Sequence, residues 1–147
     1  MTKIKSYNSV EEFLRFVRGF DVSSNPFLSY AFLSVYLKYF PRGKFYFLNV
    51  YEDEKLIGII PFECSFDSKL LNVKKLRFVG YRQFNYEQYI CHDSDMSKIH
   101  KLLLDYLESQ KKSILLNLYD INDSSPLYEV LKNDERTKVA LALYSSP

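Results

Sequence analysis

The chain has 147 residues, 47% of them apolar and 26% charged, which fits one globular domain with a sizeable core and excludes a disordered chain. Twenty basic residues stand against 18 acidic ones, and a net charge of +2 makes no case by itself for a nucleic-acid or anionic-membrane partner. No run approaches the roughly 18 apolar residues that span a bilayer, the opening MTKIKSYNSVEEF has no apolar signal core, and Cys64 and Cys91 are too few for a disulfide framework. A cytoplasmic chain with reduced thiols and no membrane insertion is expected.

A weak strand over Lys3 to Tyr7 comes first. Ser9 and Glu12 then form an S-x-x-E capping box, with Val10, Phe13, Leu14 and Val17 at helical spacing and Gly19 as the stop. A second helix opens at NPFLSYAFLSVYLKYF, where Asn25 is a good cap and Pro26 suits the first helical position. Its apolar residues lie nearly all round, so burial is expected, and Pro41 to Gly43 should end it. Lys44 to Tyr51 is rich in strand formers, Glu52 to Lys55 reads as a hairpin loop, and Leu56 to Phe66 returns as a strand. Gly58 and Pro61 within that strand predict a bulge or an edge. After a turn near Asp67 comes a third strand ending in KKLRFVG, and Phe84 to Cys91 reads as a short fourth.

Asp93 or Asp95 is placed to cap the helix MSKIHKLLLDYLESQK, whose stripe is Met96, Ile99, Leu103, Tyr106 and Leu107. SILLNLYDI reads as a short central strand, SSPLYEVLKND as a helix capped by Ser125 with Pro126 at its first position, and KVALALY as a last strand. The first strands should be antiparallel, and SILLNLY should join in parallel after its crossover helix. The expected fold class is therefore α/β in the α+β sense, a mixed sheet with helices on both faces.

Phe78 to Asp93, FVGYRQFNYEQYICHD, is too aromatic for an ordinary loop and too polar for a buried strand. Arg77 and Arg82 flank Gly80 and read either as contacts for a sugar phosphate or nucleotide, or as solvent-facing charges beside Lys74 and Lys75. Tyr81, Phe84, Tyr86 and Tyr89 read either as an aromatic surface for a saccharide or protein partner, or as packing on the sheet. His92 and His100 bracket a helix start, and Cys91 alone does not complete a metal site with them. His92 reads either as a general base, a role open to histidines near neutral pH, or as a surface histidine. Motifs of the G-x-S-x-G, H-E-x-x-H or Walker type are missing.

The element order resembles that of the GNAT superfamily of N-acetyltransferases. NPFLSYAFLSVYLKYF resembles the second-helix signature of the CelD-like and FemAB-like acyltransferases, EKLIGIIPF resembles their hairpin, and LRFVG followed by NYEQYI resembles their LRFLG…DY…I segment. The match runs through nearly the whole chain in order. It implies one GNAT-like domain over residues 1–147, corresponding to the N-terminal half of a tandem-GNAT enzyme. By the same resemblance, the full enzyme moves an acyl group from acetyl-CoA or another acyl-CoA to an amine or hydroxyl, on a surface-polysaccharide sugar for example. The partner is then a missing C-terminal half or a second copy, with no nucleic acid.

Arg77, Tyr81, Arg82, Asn85, Tyr86, Glu87 and Tyr89 become substrate-side residues, with Asn85 standing where the family has aspartate. No catalytic base is assigned. No acyl-CoA is expected on this chain alone: Gly80 is the one glycine in the loop that should cradle the pyrophosphate, and Asp93 and Asp95 put negative charge where the helix should receive it. The alternative is a non-catalytic saccharide- or protein-binding module with an aromatic surface; a basic-aromatic nucleic-acid module is a third reading, disfavoured by the charge balance.

Overall fold

In the computed structural model, which describes residues 1–20, 25–39, 44–80, 88–119 and 121–136, the first strand, β1 (Thr2–Tyr7), pairs antiparallel with β2 (Lys44–Glu52). β2 turns directly into β3 (Lys55–Ser68), and β3 into β4 (Val73–Phe78), all antiparallel. The β2–β3 turn is tighter than the four-residue loop expected. Only Asp53 and Glu54 lie outside the strands, with φ of 46° and 67°, the left-handed pair that a two-residue hairpin requires. β6 (Ser113–Asn117) then runs parallel to β4, with Leu76 opposite Leu116. The sheet order is β1-β2-β3-β4-β6, and the two-residue β5 (Ile90–Cys91) pairs β3 beside the path.

This is a mixed sheet with helices on both faces, as the sequence predicts, and strand alternation assigns the faces. Leu48, Val50, Ile60, Phe62, Leu76 and Phe78 point to one side. There they meet Met96, Ile99, Leu103 and Leu107 of α3 (Met96–Glu108) and Leu127 and Leu131 of α4 (Pro126–Asn133). Phe47, Ile59 and Ile90 point to the other side, against Phe13 and Val17 of α1 (Val10–Arg18) and Leu33 and Leu37 of α2 (Tyr30–Tyr39). The Phe13 and Phe47 rings stack at 4.1 Å.

The bulge expected near Gly58 is present. Val50 pairs with Gly58 and Tyr51 with Leu56, which leaves Ile57 as the extra residue. The edge reading fails, because β3 has β2 on one side and β4 and β5 on the other. Pro61 is tolerated inside because it sits where β5 pairing ends, at Ile59, and β4 pairing begins, at Phe62. Its carbonyl accepts from Val79 N at 2.8 Å. A strand residue's N and C=O face the same side, so the missing donor faces the gap between β4 and β5.

Four further expectations are corrected. Asn25 caps only a 3-10 turn (Pro26–Leu28), accepting from Phe27 N. Ser29 is extended and its Oγ takes Phe32 N, so the serine, not Asn25, opens α2. α2 is also less buried than its apolar sequence suggests, with Val35 and Tyr39 exposed. α3 stops at Glu108, where Ser109 Oγ and Gln110 Nε2 take the Tyr106 carbonyl. β6 is not central among the described residues. It ends the strand path, and alternate residues are exposed. KVALALY, the helix end at Pro41 to Gly43 and the Phe84 to Glu87 part of the fourth strand lie outside the described residues.

Candidate functional site

β4 and β6 are the parallel pair of the sheet, and in such a pair the loops leaving the carboxyl ends converge. After β4 the chain runs through Gly80, whose φ of 83° needs a residue without Cβ. It returns at Gln88 and enters α3 through a 3-10 turn, Asp93–Asp95. After β6 it runs through Asn122 to Ser125, the cap of α4. Against these two loops packs the turn before α2. Between them lies a cleft of about 390 Å³.

Three carboxamides (Asn25, Gln88, Asn122), the Asp93 carboxylate and the Ser125 hydroxyl face the cleft, with Phe27 and two prolines as apolar wall. Among the described residues that line it there is no lysine, arginine or histidine. Local structure already uses several of the polar oxygens. Asn25 Oδ1 accepts from Phe27 N, Asn122 Oδ1 from Ser124 N and Oγ, and Ser125 Oγ from Tyr128 N. Gln88 differs: it is 8% exposed, and its side chain makes no hydrogen bond among the described residues. A buried amide left unpaired costs about 1–3 kcal/mol, so a donor-plus-acceptor group waits at the cleft wall.

A larger groove, about 580 Å³, runs along α1 and is lined by Glu11, Glu12, Arg15, Arg18 and Tyr30. Its charges belong to an exposed helix face. Arg18 already lies over the Tyr30 ring at 4.3 Å and donates to its hydroxyl at 2.6 Å. The cleft is the better site because its polar groups come from three loops and include a buried one.

Of the residues expected on the substrate side, Tyr81, Arg82, Asn85, Tyr86 and Glu87 lie outside the described residues. Arg77 is on β4 opposite Glu63 of β3, and its Nε donates to Glu63 Oε1 at 2.6 Å. Glu63 is buried, which raises its carboxyl above the usual range while Arg77 pulls it back. Arg77 thus balances a buried charge and is not the solvent-facing residue the sequence suggested. Tyr89 is a correction too. It is fully buried, so it forms no part of an open aromatic surface.

The Tyr89 hydroxyl lies 2.8 Å from His100 Nδ1, and His100 Nε2 lies 3.9 Å from Asp134 Oδ2. Burial raises the Tyr89 phenol and lowers the His100 imidazolium pKa, so the imidazole is neutral; with its proton on Nε2, toward Asp134, Nδ1 accepts from the Tyr89 hydroxyl. In this row Tyr89 and His100 are buried, while Asp134 at its end has a side chain 17% exposed. The row ties the loop after β4 to α3 and to the end of α4. Cys91 is inert: burial, with the Asp95 and Asp93 charges, pushes its thiol up to about 12. His92 is exposed beside the Phe20 ring. The described residues hold no group of three or more metal-ligating side chains.

Asp93 and Asp95 sit at the start of α3 as expected, but neither side chain caps it. The 3-10 turn does the work instead: Asp95 N bonds His92 O and Met96 N bonds Asp93 O. Gln88 and Asn122 were missed by sequence reasoning. Gln88 lies in the stretch singled out as odd, yet an amide among tyrosines gives no signal of its own, and Asn122 reads only as turn chemistry. No protein-family model, curated protein or solved structure matches this chain.

Proposed function

We propose that this chain is the acceptor-side unit of an acyl-CoA-dependent acyltransferase of the GNAT type, related to the CelD-like and FemAB-like enzymes, and that the cleft between the β4 and β6 loops holds the acceptor. The observation that carries the acceptor role is the Gln88 amide, which is buried, makes no hydrogen bond among the described residues and lines a cleft whose described lining residues include no cationic side chain. Such a wall suits an uncharged or cationic ligand with paired hydroxyl or amine groups and disfavours a phosphate. The reaction class rests on the antiparallel β1–β4 run followed by a crossover helix and a parallel strand, and on the strings from Asn25 to Ile90 quoted above. Acyl transfer would proceed by attack of the acceptor on the thioester carbonyl, with the acyl-CoA held by the companion half.

The test is an amide-resolved NMR titration with glucosamine, glucose and glucose 6-phosphate as probes, read at the Gln88 side-chain NH2. Saturable shifts with glucosamine or glucose, and none with the phosphate, are expected. Silence at Gln88 with all three, or a preference for the phosphate, contradicts the acceptor role.

A further inference from the structure

At the end of the sheet opposite the cleft, the β3–β4 hairpin projects Leu70 and Leu71, which are 93% and 65% exposed. The turn that carries them is pinned. Leu71 N donates to Ser68 Oγ at 3.1 Å, Asn72 Nδ2 donates to Lys111 O at 3.0 Å, and Asn72 O accepts from Ser113 N. Asn72 takes a left-handed φ of 51°, which asparagine tolerates. The leucines are therefore held outward by backbone and cannot fold back on the sheet without breaking these bonds.

The same end gathers Lys69, Lys74 and Lys75 of the hairpin, Lys111 and Lys112 before β6, and Lys44 at the start of β2. Asp67 is the one acidic residue within residues 44–46, 64–75 and 109–113, and it is paired with Lys112. Six lysines against one aspartate give this end a net +5, more than the +2 of the whole chain. The remainder is net negative, so the molecule is polarised, and its small total charge conceals the fact.

We propose that this end is a peripheral docking surface for an anionic phospholipid bilayer. Leu70 and Leu71 enter the boundary between headgroups and acyl chains, and the lysines lie over the lipid phosphates and carboxylates. Charge complementarity and the paired leucines together select this partner. A nucleic acid would satisfy the lysines but leave two outward leucines against a charged backbone. A second copy would bring two +5 tips together. No described helix is long and apolar enough to cross a membrane. The inference is independent of what the cleft binds.

Vesicle flotation tests it, with phosphatidylcholine alone and with about a third phosphatidylserine. The chain should float only with the anionic vesicles and release in high salt. A Leu70→Ser, Leu71→Ser variant should lose about tenfold or more in partition coefficient, and each of Lys69→Gln and Lys111→Gln about fivefold. Circular dichroism of each variant, expected to match the parent, keeps loss of fold from imitating loss of docking. Equal flotation with neutral vesicles, no flotation at all, or retention that ignores the leucines and is competed equally by duplex DNA would overturn the proposal.

Discussion

Two buried polar side chains, Gln88 and His100, are solved differently by this molecule, and each carries a prediction. Gln88 has no hydrogen-bond partner for its side chain among the described residues, which sets the expectation for its replacement. Replacing it by methionine, of similar length and without polar atoms, should leave stability unchanged or raise it by about 1 kcal/mol, read from the urea midpoint, while abolishing the probe-induced shifts elsewhere in the cleft. A loss of stability would mean that the amide is structural. His100 is satisfied by Tyr89 and held neutral, its pKa below the ordinary 6.5 because burial outweighs the pull of Asp134. The unfolded chain therefore takes up the proton first. His100's contribution is complete above pH 6.5 and is lost as pH falls from there through the folded-state value. His100→Gln should cost about 1 kcal/mol at neutral pH for the altered bond but flatten the decline in stability as pH falls below 6.5. Glu63, whose carboxyl is raised, works in the opposite direction above its ordinary 4.5; because both proteins carry it, the comparison removes it. Identical slopes in the two proteins would contradict this account of His100.

At the scale of elements, α3 is seated on the sheet through Gly58. A Cβ at that position would fall 2.4 Å from Ile99 Cδ1 and 3.3 Å from Cys91 Cβ, so the helix approaches the bulged strand closely. Gly58→Ala should destabilise by about 1–3 kcal/mol. Ile99→Val, which removes the colliding methyl and by itself costs about 1 kcal/mol, should recover part of that loss in the double variant. Additive costs in a double-variant thermal unfolding cycle would place the strain elsewhere. Most elements were legible from the sequence because their signals are local. The Ser9 cap on Glu12 N, the Ser125–Pro126 start and the strand runs from Lys44 to Phe78 all form where they should. The misreadings came from context. Apolar residues all round α2 did not bury it: only Leu33 and Leu37 are buried, while Tyr30, Phe32 and Tyr36 pack half-buried against the same core. Pro61 looked like an edge signal until the β4–β5 gap gave its missing donor a place. SILLN looked central because it is apolar, whereas among the described residues only one face of it is covered. The candidate site was harder to read, since it joins residues from three separated loops by geometry alone.

The whole molecule has two ends of contrasting chemistry joined by one sheet. The carboxyl ends of β4 and β6 open on an amide-lined cleft, and their amino ends lie beside the lysine-rich leucine hairpin. If the hairpin rests on a bilayer, the cleft faces away from it. In the proposed function this unit binds the acceptor and leaves acyl-CoA to a companion. The start of α3 gives the physical reason. A pyrophosphate needs free backbone N–H groups there, but Asp95 N and Met96 N are already bonded within the 3-10 turn. Each such hydrogen bond to an anion forgone is worth about 1.5–3 kcal/mol, and Asp93 and Asp95 add repulsion of the order of 1 kcal/mol. Together these weaken a micromolar site by roughly a thousandfold or more. The most direct measurement is calorimetric titration of the chain with acetyl-CoA. The account predicts no binding tighter than about 1 mM. A dissociation constant of about 10 μM or below that is weakened by changing Ser94 to proline, at the mouth of α3, would contradict it and make this chain a self-sufficient acyl-CoA enzyme.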